Sequence, residues 1–100
     1  MVKMEITGVG IAGTLESSDI TVQIEKNEGK GIAIELKSTV EKQFGNQIRS
    51  VIRETLQEMR ITEALVRATD KGALDCTVRA RVKAAANRAS HNSSYAWEVK

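Results

Sequence analysis

Hydrophobic positions in the first third of the chain recur at every second residue. Val9, Ile11, Gly13 and Leu15 alternate with Gly10, Ala12 and Thr14; after a polar break, Ile20, Val22 and Ile24 alternate with Thr21, Gln23 and Glu25. A period of two marks half-buried strands. The break itself reads Glu16-Ser17-Ser18-Asp19, residue types whose short polar side chains bond nearby backbone and compete with ladder pairing. The pattern predicts a tight β-hairpin with this segment at its tip, facing water because turn backbone has no other partner. Lys26-Asn27-Glu28-Gly29-Lys30-Gly31 supplies a second turn, and Ile32, Ile34 and Leu36 then alternate with Ala33, Glu35 and Lys37. A three-stranded meander is expected.

The period then changes. Val40, Phe44, Ile48, Val51, Ile52, Leu56 and Met59 recur at spacings of three and four, with Arg49, Arg53, Glu54, Gln57 and Glu58 between them, which predicts an amphipathic helix. Ser38-Thr39-Val40-Glu41 has the form of a capping box for its start. Residues 62–69 return to alternation, with Ala64, Val66 and Ala68 on one face, so a fourth strand is expected to enter the same sheet through a helical crossover. After the turn residues Asp70-Lys71-Gly72, a second stripe of Leu74, Val78, Val82, Ala85, Ala86 and Ala89 predicts another helix. Two apolar helix faces and one half-buried sheet combine as a two-layer α+β sandwich, both helices on one face of a four-stranded sheet. One domain over residues 1–90, followed by a polar tail over 91–100, is the expected organisation.

Composition narrows the function classes. At 100 residues the chain can bury one core. Its aromatic residues are Phe44, Tyr95 and Trp97 alone, so that core is aliphatic. No segment is long and apolar enough to span a bilayer, and the first residues lack a signal peptide's apolar run; a cytosolic protein without a membrane partner is expected. The lone Cys76 has no internal disulfide partner. A net charge of +2 is small for a nucleic-acid binder, and no nucleic-acid partner is expected. Arg79, Arg81, Lys83 and Arg88 nevertheless fall in one segment, residues 76–90, that holds no acid. A solvated helix face, an acidic protein partner and a phosphate group all suit that cluster; nucleic acid suits it least, since no aromatic side chain interleaves the charges.

Catalytic chemistry finds little support. The only histidine, His91, lies in the polar tail, so no Ser or Cys has an assignable base. One Cys and one His form no zinc-ligand pattern. Gly8, Gly10 and Gly13 lie in a strand without a following helix, unlike a phosphate-binding loop. Cys76 stands roughly 150° around the helix from the apolar stripe, with no activating neighbour. What remains is the exposed serine pair, a place where another enzyme could attach a group.

Three blocks in order, Gly13-Thr14-Leu15-Glu16-Ser17, Val40-Glu41-Lys42-Gln43-Phe44-Gly45 and Asp70-Lys71-Gly72-Ala73-Leu74-Asp75-Cys76, with Trp97-Glu98 trailing, resemble the acyl carrier (gamma) subunit of citrate lyase. The resemblance covers about residues 8–90. It implies a non-catalytic carrier bearing a phosphoribosyl dephospho-coenzyme A arm through a phosphodiester on Ser17. It also implies service to an alpha subunit that exchanges acetyl for citryl and a beta subunit that cleaves citryl thioester, with a transferase to install the arm and a ligase to acetylate it. The carrier of a related lyase acting on citramalate, or of malonate decarboxylase, which uses a similar arm, is the close alternative. From a different class, a small RNA-binding or adaptor module fits the same size and charge.

One position departs from the family pattern, which has glycine after the modified serine where this chain has Ser18. Ser18 is thus a rival attachment point, and a non-glycine residue resists the positive φ that a tight turn asks for. Glu16 and Asp19 beside the pair are expected to repel an anionic arm. The attaching enzyme, or basic residues elsewhere, must offset them; Arg79, Arg81 and Lys83 are the candidate docking or phosphate contacts.

Overall fold

A computed structural model describes residues 4–90. The elements run β1 (Gly10–Ala12), β2 (Ile20–Glu25), β3 (Ile32–Ser38), α1 (Glu41–Glu58), β4 (Ala64–Asp70) and α2 (Asp75–Ala89). The expected tail, with His91, Tyr95 and Trp97, lies outside the described residues. Ile20, Ile24, Ile52, Leu56, Val66, Val78 and Val82 are fully buried between the sheet and the helices, each contributing about 1.5–3 kcal/mol of burial. This is the two-layer α+β arrangement expected, a four-stranded sheet with both helices packed on it.

The order of strands differs from a meander. It is β1-β2-β4-β3, with β4 antiparallel to β2 and parallel to β3. Strands β2 and β3 therefore do not pair. The turn between them, closed by Lys30 N–H to Asn27 C=O at 3.0 Å and by the Asn27 amide to Gly31 C=O at 3.1 Å, carries the chain one strand further out. Into the gap comes β4, reached through α1 as the crossover rule requires. Its Ala64, Val66 and Ala68 face the core between Ile24 and Val22 of β2 and Ile34 and Leu36 of β3. A central β4 has ladder partners on both edges, which a β2–β3 hairpin would have denied it.

The inward face of β1 is also inverted. Val9 and Ile11 are 58% and 51% exposed, whereas Gly10 and Ala12 are buried. Small residues are needed there because α2 presents its own alanine face, Ala85, Ala86 and Ala89, all fully buried. A Cβ on Gly10 would collide with the Ala85 carbonyl oxygen and lie 2.6 Å from the Ala89 nitrogen. Helix and strand approach backbone to backbone, and Thr7 and Gly8 N–H groups both donate to the Ala89 carbonyl at 3.0 and 2.8 Å, closing the last turn of α2. The Arg88 guanidinium donates to the Ile11 carbonyl.

At the start of α1 the capping box does not form. Ser38 ends β3 opposite Asp70; its hydroxyl donates to the Asp70 carboxylate at 2.8 Å and accepts from Val40 N–H at 3.0 Å. Val40 is the N-cap residue, without a side-chain cap, and Glu41 turns instead to Arg49 at 2.7 Å. The buried Asp70 next door holds the hydroxyl the box would have used. From Ile48 to Leu56 the predicted stripe is buried and Met59 is half-buried, but Phe44 is 51% exposed and Leu74, at the N-cap of α2, is 70% exposed. These two flank an apolar groove with Val40 and Ile48 where the helices begin.

Candidate attachment site

The chain leaves β1 at Gly13, whose φ of 101° and contact with the Ile20 carbonyl oxygen leave no room for a side chain. The connection to β2 covers residues 13–19 and is broader than the tight turn expected, because Thr14 organises its first half. The Thr14 hydroxyl accepts from Glu16 N–H at 3.2 Å and donates to Asp19 Oδ2 at 2.6 Å, while its carbonyl accepts from the Thr21 hydroxyl at 2.7 Å.

The second half is a turn over residues 16–19, closed by Asp19 N–H to Glu16 C=O at 3.1 Å. Ser17 and Ser18 are its two central residues, both exposed. Ser18 N–H donates to Lys71 C=O at 2.8 Å, and Lys71 N–H donates to Asp19 C=O at 2.9 Å. Ser18 and Asp19 thus stand together opposite the single residue Lys71, one step beyond the Ile20–Asp70 pair that ends the regular ladder. This is a β-bulge of the kind whose first residue is left-handed and usually glycine. Ser18 fills that place at φ 66°, at a cost of about 1 kcal/mol. A left-handed position of this kind favours glycine, and here a serine adopts the conformation.

Below the turn sits the charge pair that holds it. Asp19 is buried, and Arg81 of α2 donates to its Oδ1 at 3.0 Å and its Oδ2 at 2.8 Å; with the Thr14 hydroxyl and Ile20 N–H, the latter at 2.7 Å, the carboxylate accepts four hydrogen bonds. Arg81, followed by the Thr14 hydroxyl and Ile20 N–H, holds the Asp19 carboxyl well below the usual carboxylate range; the same hydrogen bond raises Arg81. The repulsion expected from Asp19 is therefore neutralised inside the fold, leaving Glu16 as the exposed acid of the turn. On the other side, Asp70 accepts from Gly72 and Ala73 N–H at 3.0 and 2.9 Å and shapes the loop that carries Lys71.

Of the candidate basic residues, the fold brings Arg81 alone to the turn. Arg79 lies 3.5 Å from Glu58 and 4.0 Å from Glu54 of α1, and Lys83 is exposed on α2. Cys76 is exposed in the first turn of α2. Among the described residues, neither the Ser17 nor the Ser18 hydroxyl is engaged in a hydrogen bond. What the turn offers chemically is an accessible alcohol on a rigid support. Sequence reasoning missed the Asp19–Arg81 pair and the Lys71 bulge; both join residues far apart in the chain, and only the glycine in the family pattern hinted at the bulge.

The family model described as malonate decarboxylase delta subunit (MdcD) matches residues 7–89. The chain is 50% identical over 95 residues to the citrate lyase acyl carrier protein of Streptococcus equi subsp. equi (strain 4047), covering 95% of this chain and 93% of that protein. It is 55% identical, with the same coverage, to the citrate lyase acyl carrier protein of Lacticaseibacillus casei (strain BL23). The crystal structure of a Pseudomonas malonate decarboxylase hetero-tetramer in complex with malonate contains a chain of the same fold, with a TM-score of 0.72 at 18% identity over 83% of this chain and 84% of that one. With a braced turn that presents a free serine and half its sequence shared with those carriers, this chain belongs to the family of citrate lyase acyl carrier proteins.

Proposed function

We propose that the chain is the acyl carrier subunit of a citrate lyase, with Ser17 bearing a phosphoribosyl dephospho-coenzyme A arm through a phosphodiester. The single observation that carries the assignment is the exposed, unbonded Ser17 hydroxyl on a turn fixed from both sides, by the Asp19–Arg81 pair and by Lys71. The site suits such an arm. Its serine is open to solvent, and its neighbouring carboxylate Asp19 is already neutralised by Arg81.

Ser17 is favoured over Ser18 because it holds the place after Gly13-Thr14-Leu15-Glu16 to which the resemblance assigns the arm; both serines are exposed, and Ser18 differs in holding the left-handed position of the bulge. Arg81 and Lys71 both bond to the turn and are the cations at hand for a phosphate, while Lys83 is exposed on α2 and suits docking of a partner; Arg79 is held by Glu54 and Glu58. When attached, the arm supplies a thiol that carries acyl groups as thioesters. The protein's part is to hold the anchor rigidly and present it to two active sites, so that each encounter becomes intramolecular at high effective concentration. Those sites belong to the alpha transferase and beta lyase subunits, in the cytoplasm, with a dedicated transferase and ligase to load and acetylate the arm.

Intact-mass measurement on chain purified from its citrate-grown host tests the proposal: an added arm is expected, lost in Ser17→Ala and retained in Ser18→Ala. An unmodified chain in an active complex, or an arm retained in Ser17→Ala, overturns it. The shared fold of the malonate decarboxylase chain and the description of the matching family model favour a carrier for that decarboxylase as the second reading. Co-purification with citrate lyase subunits rather than decarboxylase subunits decides between them.

A further inference from the structure

Resting on the carrier reading, we propose that Lys71 is the cation that meets the phosphate ester on Ser17. The bulge fixes its position. Lys71 exchanges backbone hydrogen bonds with Ser18 and Asp19, and Ser17 is one further Cα step of about 3.8 Å along the chain, within the span of a four-methylene stem.

Charge accounting around the turn points to the same residue. Arg81 faces the turn but has two of its nitrogens committed to both oxygens of Asp19. Asp70 is buried and bonded to Ser38, Gly72 and Ala73. Glu16 is exposed and adds negative charge beside the ester. Lys71 is exposed, and among the described residues its ammonium pairs with no carboxylate. Lys83 and Arg79 each lie two residues from Arg81, about 200° around the helix, and so point away from the side that meets the turn. A lysine suits the task because its ammonium is a point charge on a flexible stem and can follow an ester whose arm swings between partners.

The test compares the full chain with and without its arm at neutral pH, using the side-chain resonances of the lysines. Those of Lys71 are expected to move on loading, as an opposite charge a few ångströms away produces, with those of Lys83 unchanged. The phosphorus resonance of the serine phosphodiester, distinct from the two of the arm's pyrophosphate, is expected to move in Lys71→Gln and stay in place in Lys83→Gln. If intact mass places the arm on Ser17 and neither the Lys71 resonances on loading nor the phosphodiester resonance in Lys71→Gln moves, the assignment of Lys71 fails while the carrier reading stands. A chain whose mass never includes the arm overturns the carrier reading and this assignment with it.

Discussion

Asp19 and Arg81 are joined by two parallel hydrogen bonds, at 3.0 and 2.8 Å, between the turn that carries Ser17 and the middle of α2. The pair locks the orientation of the turn to the helix, and its two-point geometry is the one guanidinium and carboxylate favour. Because the folded Asp19 is held below its ordinary range, its contribution to stability is present above about pH 4, where an unfolded aspartate ionises, and is lost as pH falls through the lower folded value. Thermal unfolding followed from pH 7 downward is expected to show a decline below pH 4 that Asp19→Asn reduces. An unchanged pH profile in that variant would show that the pair does not couple to folding.

Ser18→Gly is expected to stabilise the chain. The substitution relieves a φ of 66° in a non-glycine residue, worth about 1 kcal/mol, partly offset by the greater freedom of glycine in the unfolded chain. Denaturant midpoints would show a small rise, and loading of Ser17 is expected to persist.

Gly10→Val is expected to be among the most damaging single changes. The backbone of α2 lies where the side chain would go, and overpacking of this kind costs about 1–3 kcal/mol or more. Equilibrium unfolding measures it, with Val9→Ala as the comparison: Val9 is 58% exposed, so its loss is expected to change stability by less than about 0.5 kcal/mol.

Ser38→Ala and Glu41→Gln separate the observed strand-end role from a capping box. Removing the Ser38 hydroxyl takes a hydrogen bond from the buried Asp70 and is expected to cost about 1–2 kcal/mol. Glu41→Gln loses an exposed ion pair with Arg49 and is expected to cost under about 0.5 kcal/mol. Equal costs for the two would restore the box.

Along α1, Leu56→Ala is expected to cost about 2–5 kcal/mol, since Leu56 is fully buried. Phe44→Ala on the same predicted stripe is expected to cost far less, because Phe44 is half exposed at the groove. Chemical denaturation of both variants checks the difference.

Local periodicity alone was enough to place all the strands and both helices. Ile20, Val22 and Ile24, then Ile48, Ile52 and Leu56, then Val78 and Val82, are spaced as their elements require and are buried as that spacing predicts. The serine pair in its turn, the crossover into β4 and the family itself were also legible, since they depend on residue order. Other features depend on what faces what across the fold. Val9 and Ile11 point outward because α2 comes too close for anything but Gly10 and Ala12. Strand β4 separates β2 from β3, and which edges a strand enters between is settled by how the elements meet across the fold rather than by its own spacing. Ser38 bonds Asp70 across a parallel pair rather than capping its own helix. Around Ser17, the sequence by itself determined an exposed hydroxyl beside two acids and a distant run of bases. Only tertiary structure decided that Arg81 neutralises Asp19, that Arg79 turns to α1, and that Lys71 stands opposite the bulge. Spacing along a chain sets which face a residue occupies, but charges find partners through space, and here those partners come from β4, its following loop and α2.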